Sequence, residues 1–119
     1  MATARVAPPE INTSLLLKTL VAFKEGDFSV RLPVDQTGVA GKLNDVLNDI
    51  FRLNSQLSRE FARISNTVGK DGKISQRASL GTVGGGWADC IESVNGLIGH
   101  LVQPSTEVAR VIEFLKDTD

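Results

Sequence analysis

The sequence predicts an all-α fold built from helices that pack through coiled-coil stripes. Apolar residues recur at alternating steps of three and four, and one pattern of helix and connector occurs twice, 47 residues apart. The composition agrees, because five Phe, one Trp and no Tyr leave a core made from Leu, Ile, Val and Ala. Layers of such side chains suit narrow helical bundles.

The first helix is predicted to follow a disordered arm at residues 1–11. Polar residues 12–14 offer helix N-caps, and one apolar stripe then runs through Leu16, Leu20 and Phe23. Gly26 is well placed to take the left-handed conformation that closes a helix.

Two connectors are predicted to be extended segments rather than paired strands. Residues 27–33 alternate apolar and polar side chains, and residues 73–80 repeat this character. Since no partner strand exists in the sequence, we expect the apolar side chains of each connector to pack on helices. The glycine-rich run at residues 81–86 is predicted to extend the second connector as a flexible stretch.

The central helix is the longest predicted element. No Pro or Gly occurs within residues 42–68, so a single uninterrupted helix is expected there, ended by Gly69 and Gly72. Its stripe is interrupted once, where two steps of four fall together, and such a stutter re-phases a coiled-coil seam. The stripe comprises Leu43, Val46, Ile50, Leu53, Leu57, Phe61, Ile64 and Val68.

A third helix resumes the heptad pattern. Its stripe comprises Trp87, Cys90, Val94, Leu97 and Leu101. Pro104 is expected to interrupt this helix, and a further stripe begins after it. The pairs Leu47-Asn48 and Val94-Asn95 lie 47 residues apart, each on its own stripe, and they define the internal repeat.

Composition and charge exclude several classes of function. A net charge of −1 provides no overall electrostatic attraction for nucleic acid. No apolar run is long enough to span a bilayer. One Cys and no signal peptide favour a cytoplasmic location. One His and one Cys leave no metal-ligand cluster or nucleophile–base pair, so we expect no catalytic, metal-binding or cofactor-binding residues.

Some individual residues could have a specific chemical function, but for each of them a purely structural role is the favoured interpretation. The glycine-rich run could cradle phosphate, but it lacks the Gly-Lys-Ser/Thr ending of a P-loop. His100 could accept a phosphoryl group, although a solvent-facing histidine is favoured. Cys90 could sense redox state, although a buried inert thiol on the core stripe is favoured. The charges of Glu60, Arg63, Lys70 and Asp71 are most simply a solvated face.

Several segments resemble a known family. Gly26-Asp27-Phe28, at the start of residues 26–33, is similar to the Gly-Asp-Leu…Val-Pro connector of HAMP domains, and residues 43–48 are similar to their second helix. Residues 68–80 and 87–97 resemble the divergent units of poly-HAMP arrays. The phrase Val68-Gly69-Lys70-Asp71-Gly72-Lys73 is similar to the cytoplasmic N-terminal array of hybrid sensor histidine kinases.

The resemblance covers residues 13–112 and implies both an architecture and residue roles. Each unit would be a parallel four-helix coiled coil made by two chains, which passes conformational signals between input and output modules. Phe28 and Leu32 would pin the first connector to the bundle, and the volume of Leu20 would bias its state. Pro104 would open the first helix of a following unit. Ala78 stands where Leu32 does in the first unit, which predicts a more loosely held second connector.

Two HAMP units sharing a long central helix are therefore expected, at residues 12–58 and 59–103. Residues 104–119 are either the start of a third unit or an appended tail. The expected partners are a second copy of the chain in a parallel homodimer and the downstream HAMP units and kinase domains of the same parent chain. No nucleic acid and no direct membrane span are expected.

The predicted function is a non-catalytic relay within a histidine kinase of a two-component system. Dimerisation would remove apolar stripes from water, at about 1.5–3 kcal/mol for each large side chain fully buried. The alternative is a monomeric helical adaptor that binds another protein through these stripes, and an enzyme using the glycine-rich run on a nucleotide is a distant third. The residues predicted to form the dimer core or to pack on it are Leu16, Leu20, Phe23, Phe28, Leu32, Leu43, Leu47, Ile50, Leu53, Leu57, Phe61, Ile64, Val68, Ile74, Trp87, Cys90, Val94, Leu97 and Leu101.

Overall fold

The computed structural model describes residues 11–117, without the side chains of residues 102–107, 109 and 117. The predicted disordered arm and the end of the C-terminal tail lie outside the described residues. Between residues 11 and 117 the regular elements are all helices and no strand occurs, which confirms the all-α prediction. In this part of the chain, no helix combines the length and the apolar composition that crossing a bilayer requires.

Three α-helices and one π-helical segment follow each other along the chain. Helix α1 spans Thr13–Lys24, α2 spans Gly38–Ile64, and α3 spans Gly85–Asp117. The π-helical segment Ser65–Lys70 follows α2 directly. Connector 1 comprises residues 25–37, and connector 2 comprises residues 71–84. Contacts divide the chain into unit 1 and unit 2 between Gln56 and Leu57, within α2.

Helix α1 is capped at both ends by its own sequence. The Asn12 side chain accepts the N–H of Leu15 at 3.0 Å, which satisfies one of the free amides of the first turn. At the other end Gly26 takes a φ of 105°, and the N–H of Asp27 donates to the Ala22 carbonyl at 3.0 Å. This left-handed cap reverses the chain into connector 1.

The core of unit 1 is aromatic, contrary to the expectation of a purely aliphatic one. Phe51 of α2 is 1% exposed, and its ring centroid lies 4.8 Å from that of Phe23 on α1. The Phe28 ring in connector 1 lies 5.4 Å from the Phe23 ring. Three of the five Phe thus meet in one place, which the overall composition alone does not reveal.

The core of unit 2 is aliphatic. Ile64 of α2, Ala78 of connector 2 and Ile98 of α3 are buried together. Val68, Ile91 and Val94 are half-buried and pack against them. The two units therefore fill the space beneath their connectors with different side chains.

The central helix differs from the uninterrupted one expected over residues 42–68. Its α-helical part begins earlier, at Gly38, and ends at Ile64, where the π-helical segment begins. The π turn coincides with a difference in spacing between the two units. The buried Thr19 lies seven positions before the left-handed Gly26 of unit 1, whereas the buried Ile64 lies eight positions before the left-handed Gly72. Wider π hydrogen bonding accommodates the additional residue.

Helix α3 runs through Pro104, so the predicted interruption there is wrong. The α-helical backbone is continuous over Gly85–Asp117. A proline within a helix removes one backbone donor and crowds the carbonyl four residues earlier, but the remaining hydrogen bonds on both sides can continue the helix. The stripe expected to start anew after Pro104 consequently belongs to the same helix as Trp87.

Removal of the Phe51 ring should test the aromatic core of unit 1. We expect Phe51→Ala to lower the free energy of unfolding by about 3–5 kcal/mol, because the cavity loses contacts with two neighbouring rings. The measurement is urea denaturation followed by far-UV circular dichroism. Val34→Ala, at an exposed position of the same unit, is the control and should change stability by about 0.5 kcal/mol or less. Equal losses for the two variants would contradict the assigned core.

Candidate functional site

Each unit contains an asparagine side chain that binds the backbone of its connector. In unit 1 the Asn48 side chain accepts the N–H of Leu32 at 2.7 Å. The same side chain donates from Nδ2 to the Leu32 carbonyl at 3.0 Å. A carboxamide carries both an acceptor and a donor, so one Asn can satisfy both backbone groups of a single residue. We call this paired hydrogen bond the connector clamp.

The connector clamp recurs in unit 2 with nearly the same geometry. The Asn95 side chain accepts the N–H of Ala78 at 2.7 Å and donates to the Ala78 carbonyl at 3.1 Å. Asn48 and Asn95 are the two residues that define the 47-residue repeat in the sequence. The repeat therefore marks a shared hydrogen-bonding device as well as a shared helix pattern.

Burial explains why each connector needs a clamp. Leu32 and Ala78 are each 4% exposed, so water cannot reach their backbone groups freely. Neither residue belongs to a helix or a strand, so regular backbone hydrogen bonding is absent there. A buried N–H or C=O without a partner costs about 1–3 kcal/mol, and the asparagine removes this cost.

A second asparagine strengthens the clamp of unit 1. Asn44 is buried, and its Nδ2 donates to the Pro33 carbonyl at 3.0 Å and to Gln36 Oε1 at 3.3 Å. The residue 47 positions later in unit 2 is Ile91, which packs in the aliphatic core instead. The residues around the clamp thus differ between the units even though the clamp itself is shared.

Arginine side chains fold back on both connectors in the same way. The Arg31 guanidinium donates from Nη1 to the carbonyls of Phe28 and Val30, at 2.9 and 2.6 Å. Arg77 donates from Nη1 to the carbonyls of Ile74 and Gln76, at 2.7 and 2.8 Å. Each arginine immediately precedes the clamped residue, so it stabilises the extended backbone that presents this residue to the clamp.

The charges of Glu60 and Arg63 are not the solvated face that was expected. The Arg63 guanidinium bonds both oxygens of Glu60, at 2.6 and 3.0 Å, and also reaches connector 2. Glu60 in turn accepts the N–H of Ser79 at 2.6 Å. Connector 2 was also expected to be loosely held because Ala78 is small, but these contacts hold it in addition to its clamp.

The structure places the predicted packing residues in three groups by exposure. Leu32 and Ile64 are buried within their units. A half-buried group comprises Leu16, Phe23, Phe28, Leu43, Leu47, Leu53, Leu57, Val68, Trp87 and Val94. An exposed group comprises Leu20, Ile50, Phe61, Ile74, Cys90, Leu97 and Leu101. Their common role in a dimer core stays a prediction, because it requires a second chain.

Several buried residues around the clamp are not among those predicted to pack. Phe51 is the most buried apolar residue of α2, and Ile98 is the most buried apolar residue described in α3. They lie 47 positions apart, as do the clamping asparagines. A signal for them exists, because α2 carries a second stripe beside the heptad seam, through Ala40, Asn44, Leu47, Asn48 and Phe51.

Cys90 and His100 both lie on the surface of the single chain. His100 is exposed, as the sequence reading favoured, and it borders a shallow open groove on α3. The Cys90 thiol is free and exposed, so its predicted burial stays a prediction about the dimer. Among the described residues, no three His, Cys, Asp or Glu side chains form a group that could hold a metal ion.

Comparison with known proteins does not assign this chain to a family. No protein-family model matches the sequence, and no solved structure matches the chain at a significant level. The resemblance to HAMP domains consequently stays an interpretation of the sequence. The structural observation that bears on it is the occurrence of the connector clamp in both units.

Loss of either clamping asparagine should destabilise the chain. We expect Asn48→Ala and Asn95→Ala each to lower the free energy of unfolding by about 1–3 kcal/mol for each buried backbone group left without a partner. Asp49→Ala is the matched control, because Asp49 neighbours Asn48 but forms an exposed ion pair with Arg52 at 3.6 Å. The control should cost about 0–1 kcal/mol. Denaturant titration of the three variants gives the comparison, and an equal effect of Asn48→Ala and Asp49→Ala would contradict the clamp.

Proposed function

We propose that this chain is a non-catalytic signal relay made of two HAMP-like units that work as a parallel homodimer. In this proposal it passes conformational change between the input and output modules of a sensor histidine kinase. The observation that carries the proposal is an apolar stripe on α2 of which the chain itself leaves Val39, Val46 and Ile50 exposed. This stripe lies beside the face that packs within unit 1.

Two faces of α2 differ in their surroundings within unit 1, one packed and the other largely exposed. The inner face, through Asn44, Asn48 and Phe51, packs on α1 and connector 1. The outer stripe comprises Val39, Leu43, Val46, Ile50 and Leu53, and it falls within about a quarter of the helix circumference at 100° per residue. Val46 is 57% exposed. Because a monomer leaves such a stripe in water, association through it would be favourable.

The outer stripe is repeated only in part in unit 2, because the residues 47 positions after Val39, Val46 and Leu53 are Gly86, Ser93 and His100. Leu97 lies 47 positions after Ile50 and is 64% exposed, and Cys90 lies 47 positions after Leu43 and is also exposed. Repetition of the inner face and of part of the outer stripe favours a partner with the same repeat, and a second copy of the chain is the simplest such partner. Each unit contributes two helical segments, so two chains would supply the four that a bundle requires.

The connector clamp gives such a bundle a way to transmit a signal. A relay needs two packings of similar energy, biased by an input and read by an output. Because each connector is tied to the following helix at one residue, a displacement of the preceding helix would be passed on through the clamp. Leu20, which is exposed on α1 in the single chain, is the position where the family resemblance implies that side-chain volume biases the packing.

The homodimer should be detectable by molar mass. We expect light scattering at low micromolar concentration, with reductant, to give twice the chain mass of 12.8 kDa. Ile50→Lys should shift the mass toward the monomer, because it places a charge on the outer stripe of α2. Asp45→Lys adds the same side chain to an exposed polar position of α2 and should leave the dimer intact.

Circular dichroism of both variants would separate dissociation from unfolding. A folded wild-type monomer at all concentrations would overturn the proposal and favour the helical adaptor that binds a different protein.

A further inference from the structure

An ion pair ties α2 to connector 2 in unit 2. Glu60 Oε1 lies 2.6 Å from Arg63 Nε, and Glu60 Oε2 lies 3.0 Å from Arg63 Nη2. The pair is therefore bidentate, which is the strongest arrangement of a guanidinium and a carboxylate. The Glu60 side chain is 15% exposed and that of Arg63 is 40% exposed, so the pair is partly shielded from water.

Both members of the pair also bind the backbone or side chains of connector 2. Glu60 Oε2 accepts the N–H of Ser79 at 2.6 Å. Arg63 Nη2 donates to the Arg77 carbonyl at 2.8 Å, and Arg63 Nη1 donates to Gln76 Oε1 at 3.1 Å. These contacts hold the residues on either side of Ala78, the residue gripped by the clamp.

Unit 1 cannot form the same contacts. The residue after clamped Leu32 is Pro33, which has no N–H to donate, whereas the residue after clamped Ala78 is Ser79. Helix α1 contains neither Asp nor Glu, so it offers no carboxylate to connector 1. Both the donor and the acceptor of the Glu60–Ser79 contact are thus specific to unit 2.

We propose that Glu60 and Arg63 are positioning residues that form a charge latch on connector 2. The latch makes the attachment of connector 2 to α2 sensitive to acid and to ionic strength, whereas connector 1 is attached to α2 by the neutral amides of Asn44 and Asn48. The charged Asp27 and Arg31 bond residues of connector 1 itself. The two connectors can then be released under different conditions. All contacts of the latch lie within the single chain, so the latch can be tested independently of the proposed dimer.

The charges around Glu60 set the direction of its acid response. The Arg63 guanidinium, together with the Ser79 N–H, holds the pKa of the Glu60 carboxyl below its ordinary value, although partial burial opposes this. Arg77 in connector 2 contributes its carbonyl to Arg63, while its guanidinium is bonded to the carbonyls of Ile74 and Gln76. Because the folded-state pKa is lowered, the latch stabilises the fold above the unfolded pKa and loses this effect as pH falls through the folded value.

The test follows the Ser79 amide by NMR in the wild-type chain. We expect its chemical shift to titrate with a midpoint below the ordinary glutamate range. We also expect its hydrogen exchange to accelerate when sodium chloride rises from about 0.01 to about 1 M, which shortens the Debye length from about 30 to about 3 Å. The Leu32 amide, clamped by a neutral side chain, is the internal control and should respond to neither change. A Ser79 amide that behaves like Leu32 would overturn the latch.

Two variants separate the latch from general stability. Glu60→Gln should remove the titration of the Ser79 amide and speed its exchange about tenfold or more, the loss expected for a hydrogen bond to a charged group. Glu92→Gln changes an exposed glutamate on α3 and should leave both readouts at their wild-type values. The Leu32 exchange rate reports whether either variant unfolds the chain. Identical Ser79 behaviour in the two variants would contradict the proposal, whatever the oligomeric state.

Discussion

One constraint governs this chain: a connector residue that is buried outside any helix or strand must still have its N–H and C=O bound. A single carboxamide meets this need in each unit, with Asn48 on Leu32 and Asn95 on Ala78. The clamp fixes which connector residue faces the core and therefore the register of the connector against the following helix. The left-handed glycines that end the preceding helices then fix where each connector begins.

The same clamp is combined with different chemistry in the two units. Unit 1 surrounds it with aromatic rings around Phe51 and with a second buried amide from Asn44. Unit 2 surrounds it with aliphatic side chains around Ile98 and with the ion pair of Glu60 and Arg63. Aromatic packing has no ionic attraction for salt to screen, whereas a partly exposed ion pair is weakened by screening. Two units of one design can therefore differ in the conditions that loosen them, a difference that the proposed relay would use.

Local signals made the helices, their caps and the 47-residue repeat predictable, because such signals depend on near neighbours. Phe51 was missed because the heptad seam identifies one face of α2, while the chain packs on the adjacent face. The role of Glu60 was missed because its partner Ser79 lies 19 positions away and depends on how connector 2 folds back. The π turn after Ile64 was not predicted, because no Pro or Gly in residues 42–68 marks a change of helix type. Pro104 was misjudged because a helix can tolerate the loss of one donor.

Amide hydrogen exchange at Leu32 and Ala78 tests the central claim most directly. Both residues lie outside regular secondary structure, so protection of their amides would have to come from the asparagine side chains and from burial. We expect both amides to exchange slowly, while the amides of exposed Val34 and Thr82 in the same connectors exchange quickly. Fast exchange at Leu32 and Ala78 alike, in a chain whose helices remain protected, would contradict the connector clamp as the element that holds each unit together.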